Sequence, residues 1–138
     1  MSFYNKVAPY LQSLLRIVSG LLFLEHGTAK YLGFPPSDFA GTSVMSMGGV
    51  AGLVELVAGA LIAVGLLTRP AAFLASGTMA AAYFLAHAPQ GFHPLLNGGA
   101  EAILYCFIFL FLAAAGPGPL SLERLLFGKE KTAGRSWG

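Results

Sequence analysis

The sequence is poor in charge and nearly free of cysteine. Only 10% of its 138 residues are charged, whereas a soluble domain carries about 25%. The single cysteine, Cys106, excludes an internal disulfide, a Cys-x-x-Cys redox pair and a multi-cysteine metal site. A formal net charge of +2 gives no basis for nucleic-acid binding. Apolar residues make up 56% of the chain, and this composition indicates one small domain embedded in a membrane.

Four apolar segments approach the length of roughly 20 residues that a helix needs to cross the hydrocarbon core of a bilayer. The connections between them are rich in proline and glycine, which end helices. The predicted fold class is therefore all-α, an integral membrane four-helix bundle in a single domain that covers residues 1–138. The predicted spans cover residues 10–32, 46–67, 70–88 and 98–115.

Basic residues mark one side of the predicted bundle. They lie before the first span, in the second loop and in the tail: Lys6, Arg69, Arg124, Lys129, Lys131 and Arg135. The first and third loops contain no Lys or Arg. Because cytoplasmic segments of membrane proteins are enriched in these residues, we predict that both termini and the tail, residues 119–138, are cytoplasmic.

Ionisable side chains inside the spans are predicted to meet at one depth. His26 and Lys30 come late in the first span, which runs outward, and Glu55 comes early in the second, which runs inward. His87 ends the third span and Glu101 begins the fourth. A charged side chain near the centre of a membrane helix costs roughly 2.5 to 3.5 kcal/mol. We therefore expect these groups to face one another in the outer half of the bundle.

Helical phase supports a shared pocket, because the polar positions fall on faces that are otherwise small or aromatic. Glu55 shares a face with Gly52 and Gly59, whose small size permits close helix packing. Arg16 lies on the same face of the first span as Lys30 but deeper, toward the cytoplasmic side. Glu25 points away from that face, so we expect it to contact solvent, headgroups or a partner chain.

The candidate site follows from this convergence. The residues predicted to exchange protons or act in catalysis are Glu55, Lys30, His26 and Glu101. The residues predicted to bind the ligand are His87, Tyr83, Tyr105, Asn97 and Arg16. Structural interpretations stay open for several of them: Lys30 as an interfacial anchor, His87 as a loop cap, Glu101 as a first-turn residue favoured by the helix dipole, and Glu55 in a structural ion pair.

The same residues also bear on functions other than binding an organic ligand. Histidines with carboxylates are acceptable zinc or iron ligands, but no His-x-x-x-His pair occurs within a helix and Lys30 would repel a cation. We therefore predict no metal site. Transport of a small solute and a non-catalytic assembly or scaffold role remain alternatives. The lipid bilayer is the expected partner, and the glycine-rich faces would permit a homodimer.

Several spaced motifs in this sequence resemble one family. RIVSGLLFLEHGTAKYLGFP, GLVELVAGALIAVGLLTRPAA and NGGAEAILYCFIFLFLAAAGPGPLSLE together resemble the DoxX family of small bacterial membrane proteins. The resemblance includes His26-Gly27-x-x-Lys30, Glu55-x-x-x-Gly59 and the run Asn97–Glu101. It implies a multi-pass protein of the bacterial cytoplasmic (inner) membrane, with relatives linked to quinone-dependent oxidoreductase assemblies and to oxidant or thiol-stress resistance.

From the motifs and the resemblance together, we expect a membrane subunit of a redox or stress system. Its polar pocket would hold a quinone, a small oxidant or a sulfur compound. Because nothing in the sequence carries electrons by itself, an oxidoreductase role would require a redox partner protein or a bound cofactor.

Overall fold

The computed structural model describes residues 2–128, and all regular structure within that part of the chain is helical. The predicted tail residues Lys129, Lys131 and Arg135 lie outside the described residues. The α-helices are α1 (Phe3–Tyr31), α2 (Met47–Val64), α3 (Thr68–Ala82), α4 (Pro94–Asn97), α5 (Ala100–Ala115) and α6 (Leu122–Phe127). The α3 helix continues as a π-helical turn, Tyr83–His87, and a 3-10 turn, Ala88–Gln90.

Local sequence sets the helix ends. Ser2 and Ser46 accept hydrogen bonds from backbone N–H groups three residues later, and so cap α1 and α2. Gly65 ends α2 in the left-handed conformation, with φ of 78°. The N-terminal cap lets α1 begin at Phe3, well before the apolar span predicted from residue 10.

The helices are built to contact an apolar medium. Within residues 2–128, three helical runs are long and apolar enough to cross a membrane: α1, α2 and the continuous run Thr68–Gln90. The α5 helix is apolar but shorter. Large apolar side chains such as Val57, Phe73 and Leu104 are exposed on the outside of the bundle. The predicted all-α class is confirmed, and the arrangement fits a helical membrane protein.

Glycines bring α1 and α2 into backbone contact. A Cβ atom on Gly27 would lie 2.8 Å from the backbone nitrogen of Leu56, and one on Gly59 would lie 2.9 Å from the Cα of Leu24. A side chain at either position would force the helices apart. This close packing buries Glu55 against α1, as the helical phase predicted.

The bundle has two different ends. At the terminal end, which holds the start of α1 and residues 116–123, α2 and α3 pack closely beside the tight turn between them. Small and apolar side chains of both helices form this part of the core: Ala58, Ile62, Ala71, Ala72 and Ala75. At the loop end, which holds the connections 32–46 and 83–99, the helices enclose a cavity instead.

Candidate functional site

A cavity of about 850 Å³ lies at the loop end between α1, α2, α3 and α5. The connection after α1 covers it, since Phe39, Thr42 and Met45 belong to its wall. Most of the remaining wall is apolar. Six of the side chains predicted for the site line the cavity together: His26, Lys30, Glu55, His87, Glu101 and Tyr105. The structure thus brings them to one place, while their roles stay predictions.

The Lys30–Glu55 pair forms the buried side of the polar wall. Lys30 Nζ lies 2.8 Å from Glu55 Oε1, and the two side chains are only 12% and 6% exposed. Lys30 Nζ also donates to the carbonyl of Gly48 at 2.9 Å. Gly52 leaves room for the lysine, because a Cβ there would lie 3.0 Å from Lys30 Cδ. Lys30 is therefore directed into the bundle rather than outward as an interfacial anchor.

The His26–Glu101 pair is more open. His26 Nε2 lies 3.0 Å from Glu101 Oε1, with the side chains 33% and 66% exposed. His26 Nδ1 lies 2.8 Å from the carbonyl of Leu22. A carbonyl only accepts, so Nδ1 carries a proton and donates it. Nε2 faces Glu101 Oε1 directly, so two groups that can each carry a proton, an imidazole and a carboxyl, meet between the cavity and water.

A third polar group presents an acceptor. His87 Nδ1 lies 3.0 Å from the carbonyl of Asn97, so it donates to that oxygen and leaves Nε2 free to accept when the ring is neutral. Asn97 is held in turn by Tyr83 Oη at 3.2 Å and by the carbonyl of Gly91 at 2.9 Å. Tyr83 and Asn97 are not part of the cavity wall. They contact His87 instead, and their role in ligand binding stays a prediction.

Tyr105 supplies a hydroxyl group at the cavity. Its ring packs against Phe23, with centroids 5.6 Å apart, and stacks on Phe109 at 5.5 Å. Within residues 2–128 the structure gives Tyr105 Oη no hydrogen bond, although the residue is buried and lines the cavity. The hydroxyl is therefore available to a ligand.

Arg16 does not join the cavity. Its guanidinium donates to the carbonyl oxygens of Ile62 at 2.9 Å and Leu120 at 2.7 Å, and to that of Pro117. These carbonyls lie at the terminal end, where helix ends leave acceptors unpaired. Arginine has five N–H donors in a planar fork, which suits such a set. The structure thus places Arg16 away from the other predicted ligand-binding side chains, while its role stays a prediction. Glu25, as expected, is exposed and outside the cavity wall.

Sequence reasoning missed the cover of the cavity. Phe39, Thr42 and Met45 lie in a connection whose sequence shows turn signals and no helical period. The only usable signal was the presence of large apolar residues in a segment that would otherwise be polar.

Comparisons with known proteins agree with this architecture. The family model described as DoxX matches residues 11–88, a stretch that contains His26, Lys30, Glu55 and His87. The chain belongs to the DoxX family. A protein of Haemophilus influenzae, described as uncharacterized, is 42% identical over 134 residues, covering 94% of this chain and 100% of that relative. No solved structure matches. Family membership and the apolar helices together support a membrane-embedded protein for this DoxX chain.

Proposed function

We propose that this DoxX protein is a membrane subunit of a redox or oxidative and thiol-stress system, and that its cavity holds a quinone. The observation that carries the proposal is the paired state of the cavity's charges. Lys30 is matched by Glu55, and His26 by Glu101. A cavity balanced in this way favours a neutral ligand, because a net charge would leave one pair member unmatched.

The remaining polar groups suit a quinone ring. Lys30 Nζ lies 2.8 Å from Glu55 Oε1 and donates to the carbonyl of Gly48, so at least one of its three N–H donors remains for a ligand. Tyr105 Oη offers a second donor. Two quinone carbonyl oxygens would accept from these donors, and the apolar wall would contact the ring. A volume of about 850 Å³ lies within the range of roughly 300–1,000 Å³ that is usual for small-molecule sites.

The other ligands of the predicted class receive less support. An anionic sulfur compound would meet two carboxylates, and its charge would have no unmatched cation. A small oxidant would fill only a fraction of the cavity. Transport gains no support at the terminal end, because Arg16, Gln12 and Ser13 bind residues 116–120 and fill the space there.

Quinone chemistry moves protons as well as electrons, and the His26–Glu101 pair supports proton movement. It joins an imidazole to a carboxyl group between the cavity and the exposed loop end, and such groups can pass a proton from one to the other. For electrons we propose a redox partner protein, since the chain has a single cysteine and no sequence motif for an electron carrier.

We also propose four membrane spans in the bacterial cytoplasmic membrane, with α5 as the fourth and both termini in the cytoplasm. Lys6, Arg69 and Arg124 support this orientation, because they lie toward the terminal end while no Lys or Arg occurs in the connections 32–46 and 88–99. A 16-residue α5 can serve as a span when Gly116 and Pro117 continue into the interface.

The binding test uses the full chain in lipid nanodiscs, titrated with a tail-less quinone such as duroquinone. The Lys30→Met/Glu55→Gln double variant removes both charges together. This choice matters because removing one partner alone leaves a buried unpaired charge, which costs about 3–5 kcal/mol. We expect the double variant to fold and to bind the quinone at least about tenfold more weakly, because it loses a charge-assisted hydrogen bond.

The matched control is Lys6→Met/Glu25→Gln, which removes a lysine and a glutamate outside the cavity wall. It should bind quinone as the wild type does. Circular dichroism and size-exclusion chromatography establish that both double variants are folded. Unchanged quinone binding by the folded Lys30→Met/Glu55→Gln variant would show that the cavity is not the quinone site.

A further inference from the structure

The cavity wall is incomplete on one side. Between α2 and α3 the two helices pack closely only near their connecting turn, and they separate toward the loop end. Six side chains line this gap, which we name the α2–α3 slot: Val50, Ala51 and Val54 of α2, with Thr78, Ala81 and Leu85 of α3 and its π-helical turn. The slot leads from the cavity to the outer surface of the bundle.

Exposure changes steadily along the slot. At its inner limit Glu55 and Met79 are buried. Ala51, Val54 and Thr78 are half-buried, and at the outer limit Val50 is 55% exposed and Leu85 is 60% exposed. Because the side chains become more exposed from the inner limit to the outer one, the slot is an opening and not a closed interface between packed helices.

The slot is apolar throughout its length. The single hydroxyl in it, that of Thr78, donates to the carbonyl of Leu74 at 2.8 Å within its own helix. The ionisable groups of the cavity lie on α1, on α5 and on the α2 face that carries Glu55, with His87 at the end of the π-helical turn on the α3 side, two residues beyond Leu85. The surface around the outer limit is apolar too, with Leu53 and Phe84 exposed beside it. In a membrane this opening faces acyl chains.

We infer that the α2–α3 slot is a lateral entrance from the bilayer and that it holds the apolar tail of the ligand. The ligand is then an amphiphile, with a neutral hydrogen-bonding head among Lys30, Tyr105 and His87 and an alkyl or isoprenoid chain that leaves between α2 and α3. This inference rests on the proposed function for the head and adds the tail and the route of entry.

The test narrows the slot and compares two probes that share a quinone head. Duroquinone has no tail, and decylubiquinone carries a ten-carbon chain. Ala51→Phe and Ala81→Phe each place a ring in the slot from opposite walls. Ala60→Phe is the matched control, since Ala60 is an exposed alanine on α2 outside the cavity wall. Affinities are measured in nanodiscs and expressed per lipid, with empty nanodiscs correcting for partition.

The wild type and Ala60→Phe should bind both probes. Each slot variant should bind decylubiquinone about tenfold more weakly, because overpacking excludes the chain. The affinity for duroquinone should stay within about twofold of the wild type, since the head does not enter the slot. Equal effects on both probes, or no effect on either, would overturn the tail assignment while leaving the quinone site intact.

Failure of the proposed function gives a different result. If the wild type binds neither quinone, the slot is tested with a phosphatidylcholine that carries a photoreactive diazirine on its acyl chain. The label should reach the buried Met79 in the wild type and in Ala60→Phe. Loss of this labelling in both slot variants would support a chain-binding slot. Equal labelling in all four proteins would overturn it. Where the wild type does bind quinone, the same label tests what occupies the slot. If decylubiquinone displaces the label and duroquinone does not, the occupant is the ligand tail. If neither quinone displaces it, the occupant is a resident phospholipid, and the inference is overturned.

Discussion

Both ends of this DoxX bundle bury a cation from α1, and the two cations are used in opposite ways. Arg16 at the terminal end is 1% exposed, and its hydrogen-bond acceptors are backbone carbonyls of Ile62, Pro117 and Leu120. Lys30 at the loop end pairs with the side chain of Glu55 beside a large cavity. The carbonyl partners of Arg16 cannot change charge or rotate away, whereas a carboxylate can do both.

The difference separates structure from function within one helix. The arginine joins the end of α2 to residues 117–120 and thereby fixes the terminal end. Ser13 and Gln12 add bonds to the same segment. At the loop end the polar atoms belong to side chains from separate helices, and several keep a free donor or acceptor. The terminal end closes the bundle, and the loop end keeps a site open.

The largest effect is expected when the terminal end loses its cation. Arg16→Met removes three charge-assisted hydrogen bonds, although the carbonyls of Ile62 and Pro117 keep the Gly65 N–H and the Ser13 hydroxyl as donors. Because a hydrogen bond to a charged group contributes about 1.5–3 kcal/mol, we expect the free energy of unfolding to fall by about 4 kcal/mol. Stability is measured by detergent-induced unfolding in bicelles, followed by circular dichroism. Quinone affinity of the folded fraction should stay within about twofold of the wild type, because Arg16 lies outside the cavity.

Arg16→Lys is the matched control, since it keeps the charge but cannot span the three acceptors. It should recover only part of the lost stability. A loss below about 1 kcal/mol for Arg16→Met would mean that the carbonyls find other partners, and the contrast between the two ends would then be much weaker.

Much of the loop end could be predicted from the sequence, because helix geometry fixes both depth and phase. Four helices that carry Lys30, Glu55, His87 and Glu101 at matching depths bring them together once the apolar faces turn outward. The glycines of α1 and α2 signalled their close contact. These regularities apply to side chains on long regular helices, and the prediction held for those residues.

Other placements could not be predicted from the sequence, for physical reasons. The partners of Arg16 are backbone carbonyls, which carry no sequence signal of their own. Tyr83 and His87 share a face at 100° per residue, but the π-helical turn Tyr83–His87 changes the rotation there. Tyr83 consequently packs against Gly99 while His87 lines the cavity. The cover formed by residues 39–45 depends on tertiary contacts of an irregular segment, which no periodicity predicts.

Two glycines of α1 allow the ends to be perturbed in the same way. A Cβ on Gly20 would lie 2.7 Å from the backbone nitrogen of Ala63, and one on Gly27 would lie 2.8 Å from that of Leu56. Gly20→Ala and Gly27→Ala should each lower the free energy of unfolding by about 2 kcal/mol through overpacking. Only Gly27→Ala should also weaken quinone binding, because it displaces α2 beside the Lys30–Glu55 pair.

Gly77→Ala provides the reference substitution, since a Cβ at Gly77 meets nothing within 4 Å. It should leave both stability and quinone binding close to the wild type. Should Gly20→Ala weaken binding as much as Gly27→Ala, the two ends would be mechanically coupled and the cavity would depend on packing along the whole of α1.

The smallest effect on stability is expected at the most open pair. Glu101→Gln should change the free energy of unfolding by less than about 1 kcal/mol, because exposed ion pairs contribute little. It should nevertheless weaken binding of the reduced quinol about fivefold while leaving the oxidised quinone unchanged. The hydroxyl groups of the quinol can donate hydrogen bonds to the Glu101 carboxylate, whereas the oxidised ring has only acceptors.

The control is Glu25→Gln, which changes an exposed carboxylate outside the cavity. It should change neither affinity. A stability loss for Glu101→Gln as large as that of Arg16→Met would instead make the loop-end pair structural, and the distinction between a closing end and an open site would fail.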